Sequence, residues 1–149
     1  MSQGEQVGPL DQAVGYMLKR AATALRTAMD TALRPLDLTV PQYSCLEVLS
    51  QRPGLSNAEL ARAVFVTRQS MNLVLRGLQD RGLITRPTTA PQGRALPSTL
   101  TPEGRERLRA ASGVVRAVQD RMLTPFSADQ RDRLLHDLAA CADALAPEE

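Results

Sequence analysis

Residues 55–86 read LSNAELARAVFVTRQSMNLVLRGLQDRGLITR, and the reading of this stretch decides the fold. Ser56 and Glu59 make an S-x-x-E box, in which hydroxyl and carboxylate satisfy each other's free backbone amides, so a short helix opens here and runs to about Val64. A second helix spans Thr67 to Arg81, with Met71, Val74, Leu75 and Leu78 at the spacing of one inward face. Gly82 stands where a left-handed residue ends a helix. Beyond it the periodicity becomes that of a strand. Leu83-Ile84-Thr85-Arg86 reads as one strand and Ala95 to Leu100 as its return, with Pro97 confining the return to an edge. Between them, Pro87 to Arg94 has the Pro and Gly content of an exposed loop.

Upstream, Val14, Met17, Leu18, Ala21, Leu25, Ala28, Met29, Leu33 and Leu36 recur at helical spacing, so one long helix is expected from Leu10 to Leu36, ended by Pro35. Thr39-Val40-Pro41-Gln42 caps the next helix, which carries Tyr43, Leu46, Val48 and Leu49 and stops at Pro53-Gly54. Downstream, Thr101-Pro102-Glu103 restarts helix, with Leu108, Ala111, Val115, Val118 and Met122 as its stripe. Ser127 caps a last helix bearing Leu134, Leu135, Leu138, Cys141, Ala142 and Leu145. The chain is thus mainly α with a small β-hairpin. Residues 1–9 form a flexible arm, 37–101 a winged helix-turn-helix, and 10–36 with 102–146 flanking helices. Those flanking helices carry more apolar surface than the central module needs, and a second copy about a two-fold axis is the economical cover.

With 149 residues the chain supports one domain and its own core. Aromatics make up only 3%, with no Trp, which disfavours a base-stacking surface for single strands. No run reaches the roughly 18 apolar residues of a membrane span, and the N-terminus lacks a signal-like segment, so a cytoplasmic protein is expected. Cys45 and Cys141 stand far apart beside a single His136, which disfavours a zinc site and leaves nothing for general acid–base work. No cofactor and no enzyme activity are expected. The net charge of +2 is unevenly spread. Between Arg62 and Arg109 lie nine arginines against three acids, net +6, leaving −4 for the rest. Such a block suits a polyanion, although solvated arginines on a structural face look alike.

The helix from Thr67 to Arg81 is of a size to enter a major groove. Its start offers Thr67, Arg68, Gln69, Ser70 and Asn72; Arg bridges the acceptors of guanine, and Gln or Asn pairs with adenine. A merely solvated polar face is the alternative. Ser56 and Asn57 cap a helix whose free amides also suit a phosphate, and Arg76 and Arg86 are phosphate candidates. Arg94, beside Gly93 at the loop tip, is placed to enter a minor groove, the wing being residues 87–95.

These residues together resemble the MarR family (multiple antibiotic resistance regulators). The resemblance is carried by Leu38 to Tyr43, Leu55 to Ala61, Leu78 to Ile84, Gly93-Arg94 and Leu100 to Gly104, and covers about Leu10 to Leu145. It implies a homodimer held by the flanking helices, a pseudo-palindromic operator on double-stranded DNA, usually repression, and release by a small phenolic or lipophilic effector. Gln92 stands where the family usually has an acid before the wing arginine, so Arg94 loses a charged support. Tyr16, Arg20, Tyr43 and Leu46 lie on helices that line the family's effector pocket. Two other readings are a protein–protein adaptor that reads no bases and a thiol-based redox regulator using Cys45 or Cys141. Against the latter, Cys45 sits among apolar residues, where a thiol is inert.

Overall fold

The computed structural model describes residues 8–86 and 97–147. In chain order its elements are α1 (Val14–Leu33), α2 (Val40–Gln51), α3 (Asn57–Ala63), α4 (Arg68–Asp80), β1 (Ile84–Thr85), β2 (Thr99–Leu100), α5 (Pro102–Met122) and α6 (Ala128–Leu145). The two strands pair antiparallel, Ile84 with Leu100 and Thr85 with Thr99.

Side chains punctuate these helices where the sequence says they should. Thr39, Ser56 and Ser127 each close a capping box with the Gln or Glu three residues on. Thr101 caps α5 by accepting from the Gly104 N–H at 3.0 Å, while its hydroxyl donates to the Gly82 carbonyl at 2.7 Å. The α4 C-terminus closes with two backbone bonds, Gly82 N–H to Gln79 and Leu83 N–H to Leu78, both 3.0 Å, around a left-handed Gly82 (φ 73°). The same pair of bonds ends the α1 segment around Asp37 (φ 58°), with Leu38 N–H reaching Leu33.

Two expected elements are shorter than their patterns. The helix expected from Leu10 to Leu36 is interrupted: a 3₁₀ turn covers Leu10–Gln12, Ala13 is extended, and a second 3₁₀ turn covers Arg34–Leu36. Pro35 has no N–H to give the α-helical ladder, so the chain tightens there into i→i+3 bonding. The strand expected over 83–86 pairs only at Ile84–Thr85 because Leu83 still belongs to the turn leaving α4. Of the return expected from Ala95, only Thr99–Leu100 is paired among the described residues. The wing 87–95, with Gln92 and Arg94, lies outside the described residues.

One core holds the chain together. Leu33 from α1, Leu46 from α2, Leu60 from α3, and Met71, Leu75 and Leu78 from α4 are fully buried in it, joined by Leu108, Ala111 and Val115 of α5. The core thus draws on helices from both sides of positions 36/37 and 101/102. Two guanidiniums fasten the turn after α1 to the rest. Arg107 of α5 donates to the Leu36 carbonyl at 2.7 Å, and Arg81 at the end of α4 donates to the Asp37 carbonyl at 2.6 Å. The α6 helix behaves differently: none of its residues is buried, and Leu135 and Leu145 are 67% and 87% exposed. Met122, expected in the α5 stripe, is exposed beside Arg121 at the edge of an apolar groove between α1 and α5. No helix among the described residues is long and apolar enough to cross a membrane.

Gly104 seats the start of α5 against the root of the hairpin, where a Cβ would collide with the Leu83 carbonyl oxygen. Gly104→Ala is expected to destabilise the chain by about 1–3 kcal/mol, because the obstacle is backbone and cannot swing aside. Urea denaturation checks this; an unchanged midpoint would contradict it.

Candidate nucleic-acid interface

The interface begins with the rotation of α4. Burial of Met71, Leu75 and Leu78 turns Arg68, Gln69, Ser70, Asn72 and Arg76 outward, and all five are exposed. This brings the expected polar set of the helix onto one accessible surface. Leu73 shares it, 64% exposed, and the sequence reading passed over it. The signal was available: Leu73 is two residues from both Met71 and Leu75, which on a helix places it away from their face.

Several of the expected contact residues already have structural duties. Thr67 is the N-cap of α4 and accepts from the Ser70 N–H at 3.0 Å. Ser56 is occupied twice, its hydroxyl accepting from the Glu59 N–H at 3.2 Å and its own N–H donating to Glu59 Oε1 at 3.0 Å. Those bonds, the backbone one foremost, hold the exposed Glu59 carboxyl below its usual pKa. Asn57 Nδ2 donates to Asn72 Oδ1 at 3.1 Å, tying the start of α3 to the outer face of α4. Asn72 thus stands at the surface with its amide already oriented, its two N–H donors facing away from that bond. Arg86 follows β1 and is half-buried.

The cationic block divides on folding. Arg62, Arg68 and Arg76 are exposed around α3 and α4, whereas Arg81 and Arg107 are engaged with backbone carbonyls. Arg105, Arg109 and Arg116 line a different feature, a cleft of about 400 Å³ between α2 and α5 shared with Glu47, Ser50 and Ser112. Tyr43 is not in its lining but is influenced by three residues that are. Burial, then Glu47, raise its pKa, and the Ser112 hydroxyl and Arg116 pull it back.

The four residues expected to line an effector pocket are not brought together within the chain. Leu46 is fully buried in the core and Tyr43 nearly so. Tyr16 and Arg20 instead border a shallow groove along α1 with Lys19 and Thr23. The α2–α5 cleft, with three arginines to one carboxylate, is cationic. The sequence does not single it out, because Arg105 and Arg109 fall within one undivided basic block from Arg62 to Arg109 and Arg116 lies outside it.

Comparison with known proteins places these features. The model of the MarR family matches residues 36–95. The HTH-type transcriptional repressor Rv2887 of Mycobacterium tuberculosis is 49% identical over 121 residues, 81% of this chain and 87% of that protein. The Rv2887 crystal structure in complex with p-aminosalicylic acid superposes with a TM-score of 0.73 at 46% identity, covering 87% of this chain and 98% of that one. Its complex with DNA gives 0.72 at 44%, covering 86% and 96%. The transcriptional repressor CouR bound to a 23-mer DNA duplex gives 0.81 at 32%, covering 92% and 97%.

Cys45 lies fully buried in α2, which packs against α3 and α4, and burial pushes its pKa from 9.0 up to about 12. A protonated, enclosed thiol is a poor nucleophile. In the native chain at pH 8, iodoacetamide is expected to leave Cys45 unmodified, and to label it once the chain is unfolded; peptide masses read this directly. The pKa shift also sets a sign. Between pH 9 and about 12 only the unfolded chain releases this proton, so its contribution to stability is lost as pH rises through that window.

Proposed function

The chain belongs to the MarR family, and from that premise we propose that it is a ligand-responsive transcriptional repressor that binds a pseudo-palindromic operator in double-stranded DNA as a homodimer. The observation that carries this reading is the outer face of α4, where core burial on one side presents Arg68, Gln69, Ser70 and Asn72 on the other. Gln69 and Asn72 suit adenine, Arg68 suits guanine, and Ser70 either. Arg76 and Arg86, with Thr67, Ser56 and Asn57 at the helix starts, lie where phosphates would flank the groove. Arg94 on the wing takes the minor groove. Rv2887 and CouR, both caught on DNA, support this use of the fold.

The dimer reading is supported by α6, an 18-residue helix with an apolar stripe and no buried residue, and by the apolar groove between α1 and α5. A helix of that length is marginal in water without tertiary packing, so a second copy is the natural cover. We place the protein in the cytoplasm, where its operator is. For the effector we propose the α2–α5 cleft and a small aromatic acid, whose carboxylate meets Arg105, Arg109 or Arg116 while its ring rests on Leu108. That Rv2887 is found with p-aminosalicylic acid supports this chemical class.

Selection of bound fragments from genomic DNA, followed by titration of the recovered duplex, is the test. Sequence-specific binding by a dimer, with affinity falling steeply in added salt, is expected; Arg76→Ala should reduce the slope of log K against log salt by about 1. A monomer that retains no fragment would end the proposal. p-Aminosalicylate is expected to release the duplex from the wild type, and Arg109→Ala to blunt that release without weakening DNA binding itself. Equal release from both proteins would remove the cleft as the effector site.

A further inference from the structure

Phe65 is out of place by every local measure. It follows the C-cap of α3 with a left-handed backbone (φ 63°), and its side chain is 92% exposed. The turn around it is locked, with Phe65 N–H donating to the Arg62 carbonyl at 3.3 Å and Val66 N–H to Ala61 at 3.0 Å. The same pair of bonds ends α4, and there the left-handed residue is Gly82. In this conformation a Cβ crowds the following carbonyl, a cost from which glycine is exempt. Phe65 thus bears a strained backbone and a wetted ring together, with no burial in the fold to offset either. Strain left uncompensated within a fold points to a contact made outside it.

The surroundings say what that contact is. Val64 and Val66 on either side pack towards the core, so Phe65 alone projects from the turn. Arg62 and Arg68 flank it and are exposed, and from Leu60 to Gln79 the sequence holds no Asp or Glu. Two residues further on, Thr67 caps the helix whose outer face carries Gln69 and Asn72. An apolar partner protein would have to meet this side chain between two exposed guanidiniums, those of Arg62 and Arg68. A duplex supplies both the anionic rails that the arginines need and, between them, apolar deoxyribose faces and thymine methyl groups.

We propose that Phe65 is a DNA-contacting residue, its ring packing against the apolar surface of the duplex, deoxyribose or thymine methyl, at the rim of the groove that α4 enters. The assignment rests on the reading of the chain as a DNA-binding repressor. The contact is uncharged, so unlike its arginine neighbours it adds affinity without displacing counterions.

The test uses the full chain and the duplex recovered by genomic selection, with Phe65→Gly and Phe65→Asn, residues that both accept the left-handed backbone. Both variants are expected to melt at or above the wild-type temperature, yet to bind the duplex about five-fold or more weakly, with the salt slope unchanged. Replacing thymine by deoxyuridine separates the two apolar sources. If the methyl is the contact, the wild type loses affinity on the substituted duplex and Phe65→Gly loses no more; if deoxyribose is, the variant's deficit is the same on both duplexes. Binding by both variants within about two-fold of wild type, or a loss accompanied by a flattened salt slope, would overturn the assignment. A wild-type chain that retains no duplex at all would overturn the repressor reading and this one with it.

Discussion

Burial of Met71, Leu75 and Leu78 is the constraint on which the rest depends. Three fully enclosed side chains at helical spacing leave α4 no freedom to turn about its axis. Each is worth about 1.5–3 kcal/mol of burial, so a rotation that exposed even one would cost a large part of a domain's net stability. The identities of the outward residues follow from that geometry rather than from any property of their own. Gln69 and Asn72 are readable by a partner because Met71 and Leu75 are not.

Helix boundaries were legible in the sequence because capping chemistry is local. Thr39 with Gln42, Ser56 with Glu59, and Ser127 with Gln130 need only a fixed three-residue spacing to close, and each does. Gly82 was legible for the same reason. Phe65 was not, since nothing in its type announces a left-handed turn, and the bonds that impose it come from Arg62 and Ala61 backbone groups that every residue owns. The break at Ala13 was likewise hidden, because alanine is the residue that helix propensity favours most.

Charge was legible in amount and not in allocation. The nine arginines between Arg62 and Arg109 form one block only along the chain. In space, Arg81 and Arg107 converge on successive carbonyls, those of Asp37 and Leu36, from two different helices. Arg105 and Arg109 turn to the α2–α5 cleft. No spacing rule predicts these assignments, because each depends on which helix the arginine's neighbour packs against. The Asn57–Asn72 bond is of the same kind, joining residues fifteen apart through the crossing of α3 and α4. Candidate contact residues could therefore be named from sequence, while the partners that hold them in position could not.

The α5 helix links these separate features. Its buried side packs along α1 and closes the core with Leu108, Ala111 and Val115. Its start is seated on the hairpin root through Gly104, its Arg107 holds the turn between α1 and α2, and its outer arginines line the cleft. A rigid helix fixed at its start and along its length transmits displacement rather than absorbing it, since a close-packed core has few voids to take up movement. A shift of α5 against α2 would therefore reach the Leu36–Asp37 turn through Arg107, and the end of α4 through Arg81, which grips the same turn. In the proposed dimer, held by the flanking helices, the same turn would connect each α4 to the shared scaffold. Two α4 helices so arranged would have to stand one helical repeat of the duplex apart, roughly 34–36 Å, so a small tilt at the turn would be enough to spoil simultaneous contact with both half-sites.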